Sequence, residues 1–304
     1  MNKRSDVPNR YLRDETYMPH VWCAGCGVGI LQGAIVRAID ALSIHRDEVS
    51  MISGIGCLSR MPLYVDFYTL HTTHGRPIAF ATGVKLARPD MHVVVVTGDG
   101  DCTAIGGNHF IHACRRNLDF TIVISNNEVY GMTGGQLSPT TPHGRRATTA
   151  PMGNAEHPFD ISALAIAAGA TYVARTTTYH AGMLKSVIEG GIRHCGLSVI
   201  EVLVQCPTFT GRQARIGDAV AMLDDYKKRA VPIKAWDKLP AEKREGKFSV
   251  GVLHESHKPE FCDGYASLIE KAHGEGTFWE HVLESRYFAG APQEGHPLHH
   301  EEES

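Results

Sequence analysis

The residues of this 304-residue chain best suited to chemistry lie between Val93 and Gln136, where the sequence reads VVVVTGDGDCTAIGGNHFIHACRRNLDFTIVISNNEVYGMTGGQ. Asp99 offers a carboxylate, Asn127 an amide oxygen and Val129 a backbone carbonyl. A hard dication such as Mg²⁺ takes such oxygens together with those of a phosphate. Glycines at 98, 100, 106 and 107 let backbone come close to phosphate, and a helix expected from about Thr103 offers free N–H groups at its start. The chemistry suggested is a diphosphate carried on Mg²⁺.

Two strands and a helix must position these groups. Val93–Val96 and Thr121–Ile124 are short β-branched runs suited to strands buried on both faces, with a helical interval between them. In such a βαβ unit the parallel strands end on one sheet edge roughly 4.8 Å apart. Gly98-Asp99-Gly100 and Asn126-Asn127 therefore leave the sheet side by side. A lone Gly-Asp-Gly is also what an ordinary strand-turn-helix contains. Joined to Asn-Asn across residues 101–125, it resembles the thiamine diphosphate signature of the diphosphate-binding module of thiamine enzymes.

The cysteines form a second constellation. Trp22-Cys23-Ala24-Gly25-Cys26-Gly27 runs into a helix with apolar positions at Ile30, Leu31, Ala34, Ile35, Ala38, Ile39 and Leu42. Thiolates at a helix start have lowered pKa and serve as ligands, and the motif alone reads equally as a redox pair or a zinc knuckle. Cys57 follows strand Val49–Ile52 in the glycine-rich turn Ser53-Gly54-Ile55-Gly56, and Cys206-Pro207 follows strand Val199–Val204. Four cysteines at turns fit zinc or a 4Fe-4S cluster. Cys102, Cys114, Cys195 and Cys262 are scattered and read as packing residues, with Cys102 ambiguous because it sits in the phosphate turn.

Composition bounds the class. The chain is 43% hydrophobic and 21% charged, with net charge -3, so it has ample core and no basic, aromatic-rich stretch for nucleic acid or anionic membrane. No signal peptide and no apolar run of about 18 residues is found, so a cytoplasmic location is expected, where disulfides are rare.

Taken jointly, Trp22-Cys-x-x-Cys-Gly27, Gly56-Cys57, His74-Gly75-Arg76, Gly98-Asp99-Gly100-Asp101, Asn126-Asn127-Glu128-Val129-Tyr130-Gly131-Met132-Thr133-Gly134-Gly135-Gln136 and Cys206-Pro207 resemble the β subunits of 2-oxoacid:ferredoxin oxidoreductases, over roughly residues 20–210. The resemblance implies that Cys23, Cys26, Cys57 and Cys206 bind a 4Fe-4S cluster and that Asp99, Asn127 and the Val129 carbonyl bind Mg²⁺. It implies thiamine diphosphate lined by Ile55, Gly56, Cys57, Leu58, Gly98, Gly100, Asp101, Gly131 and Met132. It places His74 near the cofactor as the candidate catalytic residue, against the plainer reading of a loop histidine bonded to backbone. The implied reaction is oxidative decarboxylation of a 2-oxoacid with coenzyme A, electrons passing singly through the cluster to ferredoxin, or the reverse carboxylation.

The glutamate that activates thiamine belongs to a second module, for which this chain has no room. An α subunit is therefore expected to supply it, in a heterodimer that pairs into a dimer of heterodimers. The loop Gly131–Pro158 is expected over the reacting centre. Its wording Gly131–Pro142 looks most like the 2-oxoglutarate branch, although Gly134 stands where some relatives of broad specificity have Lys, and pyruvate or a branched-chain oxoacid is the alternative. Arg145-Arg146 offers an anion anchor, or else a solvated or interface pair. A non-redox thiamine decarboxylase or carboligase with structural zinc, and a non-catalytic interaction protein, are the rival classes.

The expected fold is α/β, a doubly wound, mostly parallel sheet of the thiamine diphosphate-binding type. Its later elements are a helix over Phe159–Gly169, a strand over Thr171–Ala174 and a helix over Ala181–Gly190. Residues 1–19 read as an arm, 20–210 as the cofactor domain, and 211–304 as a mainly helical or irregular extension with subunit contacts, holding Asp218–Arg229 and an acidic, His-rich end. His109, His112, His194, His299 and His300 read as surface or tail residues.

Overall fold

A computed structural model describes residues 10–13 and 18–273. The arm 1–19 is thus described only in part, and the end Gly295–Ser304, with His299 and His300, lies outside the described residues. The described residues up to 261 form one compact unit, and those from 262, most of the helix Phe261–His273, belong to a second.

The central run of valines forms β3 (His92–Gly98), flanked by β1 (Val49–Ser53) and β4 (Thr121–Asn126). With β2 (Tyr68–His71), β5 (Tyr172–Thr177), β6 (Ser198–Leu203), β7 (Ala230–Pro232) and β8 (Phe248–Glu255) they make one eight-stranded sheet in the order β2-β1-β3-β4-β6-β5-β8-β7. All neighbours are parallel except β5 and β8.

Helices cover both faces because alternate residues of β3 point to opposite sides. Val94 and Val96 pack with Leu31 and Ile35 of α1 (Val28–Ala41), whereas Val93 and Val95 pack with Ile78 of α2 (Pro77–Ala87) and Phe110 of α3 (Gly107–Arg116). α4 (Ile161–Ala168) joins the second face, and α5 (Ala181–Arg193) the first. Asp160 caps α4 through its side chain at Ala163 N–H, and Asp218 caps α6 (Ala219–Arg229) at Ala221 N–H.

The phosphate turn and the segment after 211 differ from expectation, and β2 was not expected. The phosphate turn does not enter its helix at Thr103: Asp101–Ile105 make one wide π turn and the α-helix begins at Gly107. The segment after 211 also adds two strands, β7 and β8, to the sheet beside its helices.

Candidate active site

Parallel order carries the chemistry to one edge. Ser53 of β1 lies beside Val96, Gly98 of β3 beside Ser125, and Asn126 of β4 beside Leu203 of β6. The turns bearing Cys57, Asp99, Asn127 and Cys206 therefore leave neighbouring strands in the same direction, at the strand ends where such sheets bind ligands.

Between them lies a cavity of about 160 Å³. Ile55, Gly56, Cys57, Leu58, His74, Gly98, Asp99, Gly100, Asp101, Asn127, Val129, Gly131 and Met132 all line it. A side chain at Gly56 or Gly98 would meet nothing within 4 Å, so both glycines leave open space at the cavity. Gly100 has a different reason to be glycine, since a Cβ there would stand 2.3 Å from the Tyr130 ring. Tyr130 caps the turn by donating its hydroxyl to the Gly100 carbonyl at 3.1 Å.

Asp99 is 3% exposed, and Ser138 and Thr140 each donate a hydroxyl to it at 2.6 Å. Burial pushes its carboxyl up to about 6, against the pull of those hydroxyls and of the Gly100 N–H. A buried carboxylate whose partners are hydroxyls and an amide fits a dication. Glu128, between Asn127 and Val129, has φ +62°, a left-handed backbone that an L residue holds only when its surroundings enforce it. Thr141 donates to its carbonyl at 2.7 Å, its N–H reaches Asn126 Oδ1 at 3.2 Å, and Arg145 pairs with its carboxylate. Ser138, Thr140, Thr141 and Arg145 show that the loop after Gly131 packs against the oxygen-donor turn.

Arg145, read from sequence as an anion anchor or a solvated residue, is thus taken up by Glu128. Gly134 has φ +117°, so a residue with a side chain would be strained in this backbone. A second cavity of about 380 Å³ lies beyond Asn126 and Glu128. The arginines on its wall are paired: Arg175 with Glu201 and Asp160, and Arg229 with Asp225.

The cysteines converge on the other side. A Cβ on Gly131 would stand 3.5 Å from Cys57 Sγ and 3.9 Å from Cys206 Sγ. Burial, with smaller contributions from neighbouring thiols, pushes the Cys26 thiol up to about 11 and the Cys57 thiol to about 12; the neighbours are Cys206 and Cys23 at Cys26, and Cys26, Cys206 and Cys23 at Cys57. Among the described residues no group of three or more His, Cys, Asp and Glu could hold a single metal ion.

Gln205 and Trp22 hold this group together. Gln205 accepts from Gly27 N–H through its backbone at 3.2 Å and donates its side-chain amide to the Gly25 carbonyl at 3.3 Å, while Trp22 Nε1–H reaches the Cys57 carbonyl at 2.7 Å. Gly27 has no room for more, since a Cβ there would lie 2.3 Å from Gln205 Oε1. Trp22 was visible in the motif, but Gln205, Ser138 and Thr140 carry no local pattern. Of the remaining residues in question, Cys102 and Cys114 are buried in the core, and His194 is buried with Nε2 at 2.7 Å from Thr171 Oγ1 rather than on the surface.

Residues 54–202 match the family model described as thiamine pyrophosphate enzyme, C-terminal TPP binding domain. A 2-oxoglutarate synthase subunit KorB from Methanocaldococcus jannaschii is 50% identical over 266 residues, 88% of this chain and 98% of the relative. The subunit of the same name from Archaeoglobus fulgidus is 48% identical over 258 residues, 85% of this chain and 92% of the relative. A solved structure, 2-oxoglutarate:ferredoxin oxidoreductase from Magnetococcus marinus with 2-oxoglutarate, coenzyme A and succinyl-CoA bound, superposes with TM-score 0.79 at 35% identity, covering 91% of this chain and 94% of that one.

Proposed function

Since the chain belongs to the family of 2-oxoacid:ferredoxin oxidoreductase β subunits, we propose that it is the β subunit of an enzyme that oxidatively decarboxylates 2-oxoglutarate to succinyl-CoA and CO₂ and passes the electrons to ferredoxin. The observation that carries this reading is the meeting of two cofactor-type sites at one sheet edge, with Cys57 belonging to both.

Asp99, the Asn127 amide and the Val129 carbonyl would hold Mg²⁺, and with it the diphosphate of thiamine diphosphate over Gly98 and Gly100. Cys23, Cys26, Cys57 and Cys206 would hold a 4Fe-4S cluster. The mutual proximity of Cys57 with Cys23, Cys26 and Cys206, together with the family, supports this reading. When bound, thiamine diphosphate supplies an electron sink for decarboxylation and the cluster a one-electron carrier. The chain's own work is to keep the metal-binding oxygens fixed through Ser138, Thr140 and Glu128, and to keep the cysteines together through Gln205 and Trp22.

An α subunit contributes the activating glutamate, and the complex is a dimer of heterodimers. In the same reading residues 20–210 carry the cofactor residues and 211–304 contact other subunits, although β7 and β8 of the latter stretch belong to the same sheet. No described helix is long and apolar enough to cross a membrane. The 2-oxoglutarate substrate rests on the loop Gly131–Pro142 and on the named relatives. An anaerobic assay of the chain co-purified with its partner, following viologen reduction with coenzyme A and a panel of 2-oxoacids, tests it. Turnover confined to 2-oxoglutarate is expected; turnover on pyruvate or branched-chain oxoacids alone would discard the substrate, and none with any oxoacid would discard the reaction.

A further inference from the structure

Asp101 is 2% exposed, and both its carboxylate oxygens are spent on the protein. Oδ1 accepts from the Ile55 N–H at 3.2 Å, the Gly75 N–H at 2.7 Å and His74 Nδ1 at 2.5 Å, while Oδ2 accepts from the Thr97 hydroxyl at 2.6 Å. Three donors take up Oδ1, and Oδ2, held by Thr97, lies so close against Gly54 that a Cβ there would stand 2.0 Å from it. The residue therefore lines the cavity without offering its carboxylate to what lies inside.

The four donors come from two turns and the end of a strand. Ile55 is in the turn that carries Cys57, whose carbonyl receives Trp22. His74 and Gly75 are in the turn after β2, and Thr97 is at the end of β3, just before the diphosphate turn. An ionised carboxylate only accepts, so His74 Nδ1 must bear the proton, which leaves Nε2 as the nitrogen that can meet a ligand in the cavity His74 lines. The fit is close on the far side as well: a Cβ on Gly54 would stand 2.0 Å from Oδ2 and 2.7 Å from Oδ1.

We propose that Asp101 is a positioning residue that locks the Cys57 turn, the His74 turn and the diphosphate turn into one unit, so that a single carboxylate sets the cluster ligand and the thiamine pocket relative to each other. Groups of this kind orient ligands they do not touch, and their loss costs about 10- to 100-fold in affinity or activity. The inference rests on the cofactor assignments proposed above.

Its test uses the complete enzyme, purified anaerobically with its partner subunit, in wild-type, Asp101→Ala, Asp101→Asn and Gly54→Ala forms. Three quantities are read: iron content with the electron paramagnetic resonance of the reduced cluster, the concentration of thiamine diphosphate with Mg²⁺ needed for half-maximal activity, and kcat. Asp101→Ala is expected to change the cluster signal and also to raise the thiamine diphosphate requirement at least about tenfold. Asp101→Asn keeps an oxygen for Ile55, His74 and Gly75 and turns only the Thr97 bond round, so it should restore the cluster signal and most of the affinity. Gly54→Ala, which touches neither cofactor, should reproduce the alanine defect by displacing the carboxylate. Should Asp101→Ala fail to assemble, the other two variants still decide. A normal cluster signal in Gly54→Ala, or an Asn variant with weakened thiamine binding and an untouched cluster, would make Asp101 a simple cofactor contact and overturn the proposal. Wild-type enzyme lacking iron and thiamine would instead overturn the functional reading beneath it.

Discussion

Asp99 shows how one side chain's surroundings set a measurable pH dependence. Its carboxyl is raised from 3.8 to about 6 by burial, so below about pH 6 a Mg²⁺ ion must displace a proton to bind there. The Mg²⁺ concentration needed for thiamine diphosphate binding should rise about tenfold per pH unit below pH 6 and be level above it, as read by a Mg²⁺ titration at several pH values. The same shift works against folding in the opposite direction. Between about pH 4 and 6 the unfolded chain has released a proton that the folded chain keeps. This group's contribution to stability therefore falls as pH rises through that window and stays at its lower value above it. Asp99→Ala should abolish turnover and Mg²⁺-dependent thiamine binding while leaving iron in place, and retained activity would remove the metal assignment. Cys206→Ser should lose iron, and unchanged iron and absorbance would mean a different fourth ligand.

At the scale of elements, turns from well-separated parts of the chain must be held in register, and the contacts that hold them are where small changes tell most. Gly27→Ala would press a methyl against Gln205. It should displace the Cys23–Cys26 segment from the end of β6, lowering iron content while thiamine diphosphate still binds, which metal analysis and cofactor fluorescence would separate. Loss of thiamine binding with iron intact would contradict the packing argument. Arg145→Ala should free Glu128 from the pair that helps hold its left-handed backbone. The expected result is a rise of about three- to tenfold in the thiamine diphosphate requirement, with faster amide exchange over residues 131–158.

The same elements explain what could be read in advance. Valine and isoleucine runs announced β1, β3, β4 and β6, and glycine, aspartate, asparagine and cysteine marked the turns at their ends, because buried strands and close approach to phosphate restrict residue type. β2 was silent, since Tyr68–His71 is a short, largely exposed edge without alternation. β8 follows a polar stretch and earns its place only by antiparallel pairing with β5. Ser138 and Thr140 reach Asp99 across 39 and 41 residues of chain, a contact that no local spacing encodes. Asp101 was legible as part of the site, but its role was not, because it depends on turns that meet only in the folded sheet.

For the whole molecule, the proposed function makes this chain a subunit that would bring two cofactors to one sheet edge and leave the activating glutamate to a partner. The isolated chain should accordingly bind iron yet turn over no 2-oxoacid, and activity should return on assembly with the α subunit. The most direct measurement is electron paramagnetic resonance of that anaerobic complex, loaded with thiamine diphosphate and Mg²⁺ and frozen after addition of 2-oxoglutarate with no ferredoxin present. A one-electron-reduced cluster signal should appear in the wild type and be absent from Asp99→Ala at equal iron content. A cluster that stays silent in the wild type, with iron and thiamine both bound and 2-oxoglutarate consumed, would contradict the passage of electrons from one site to the other.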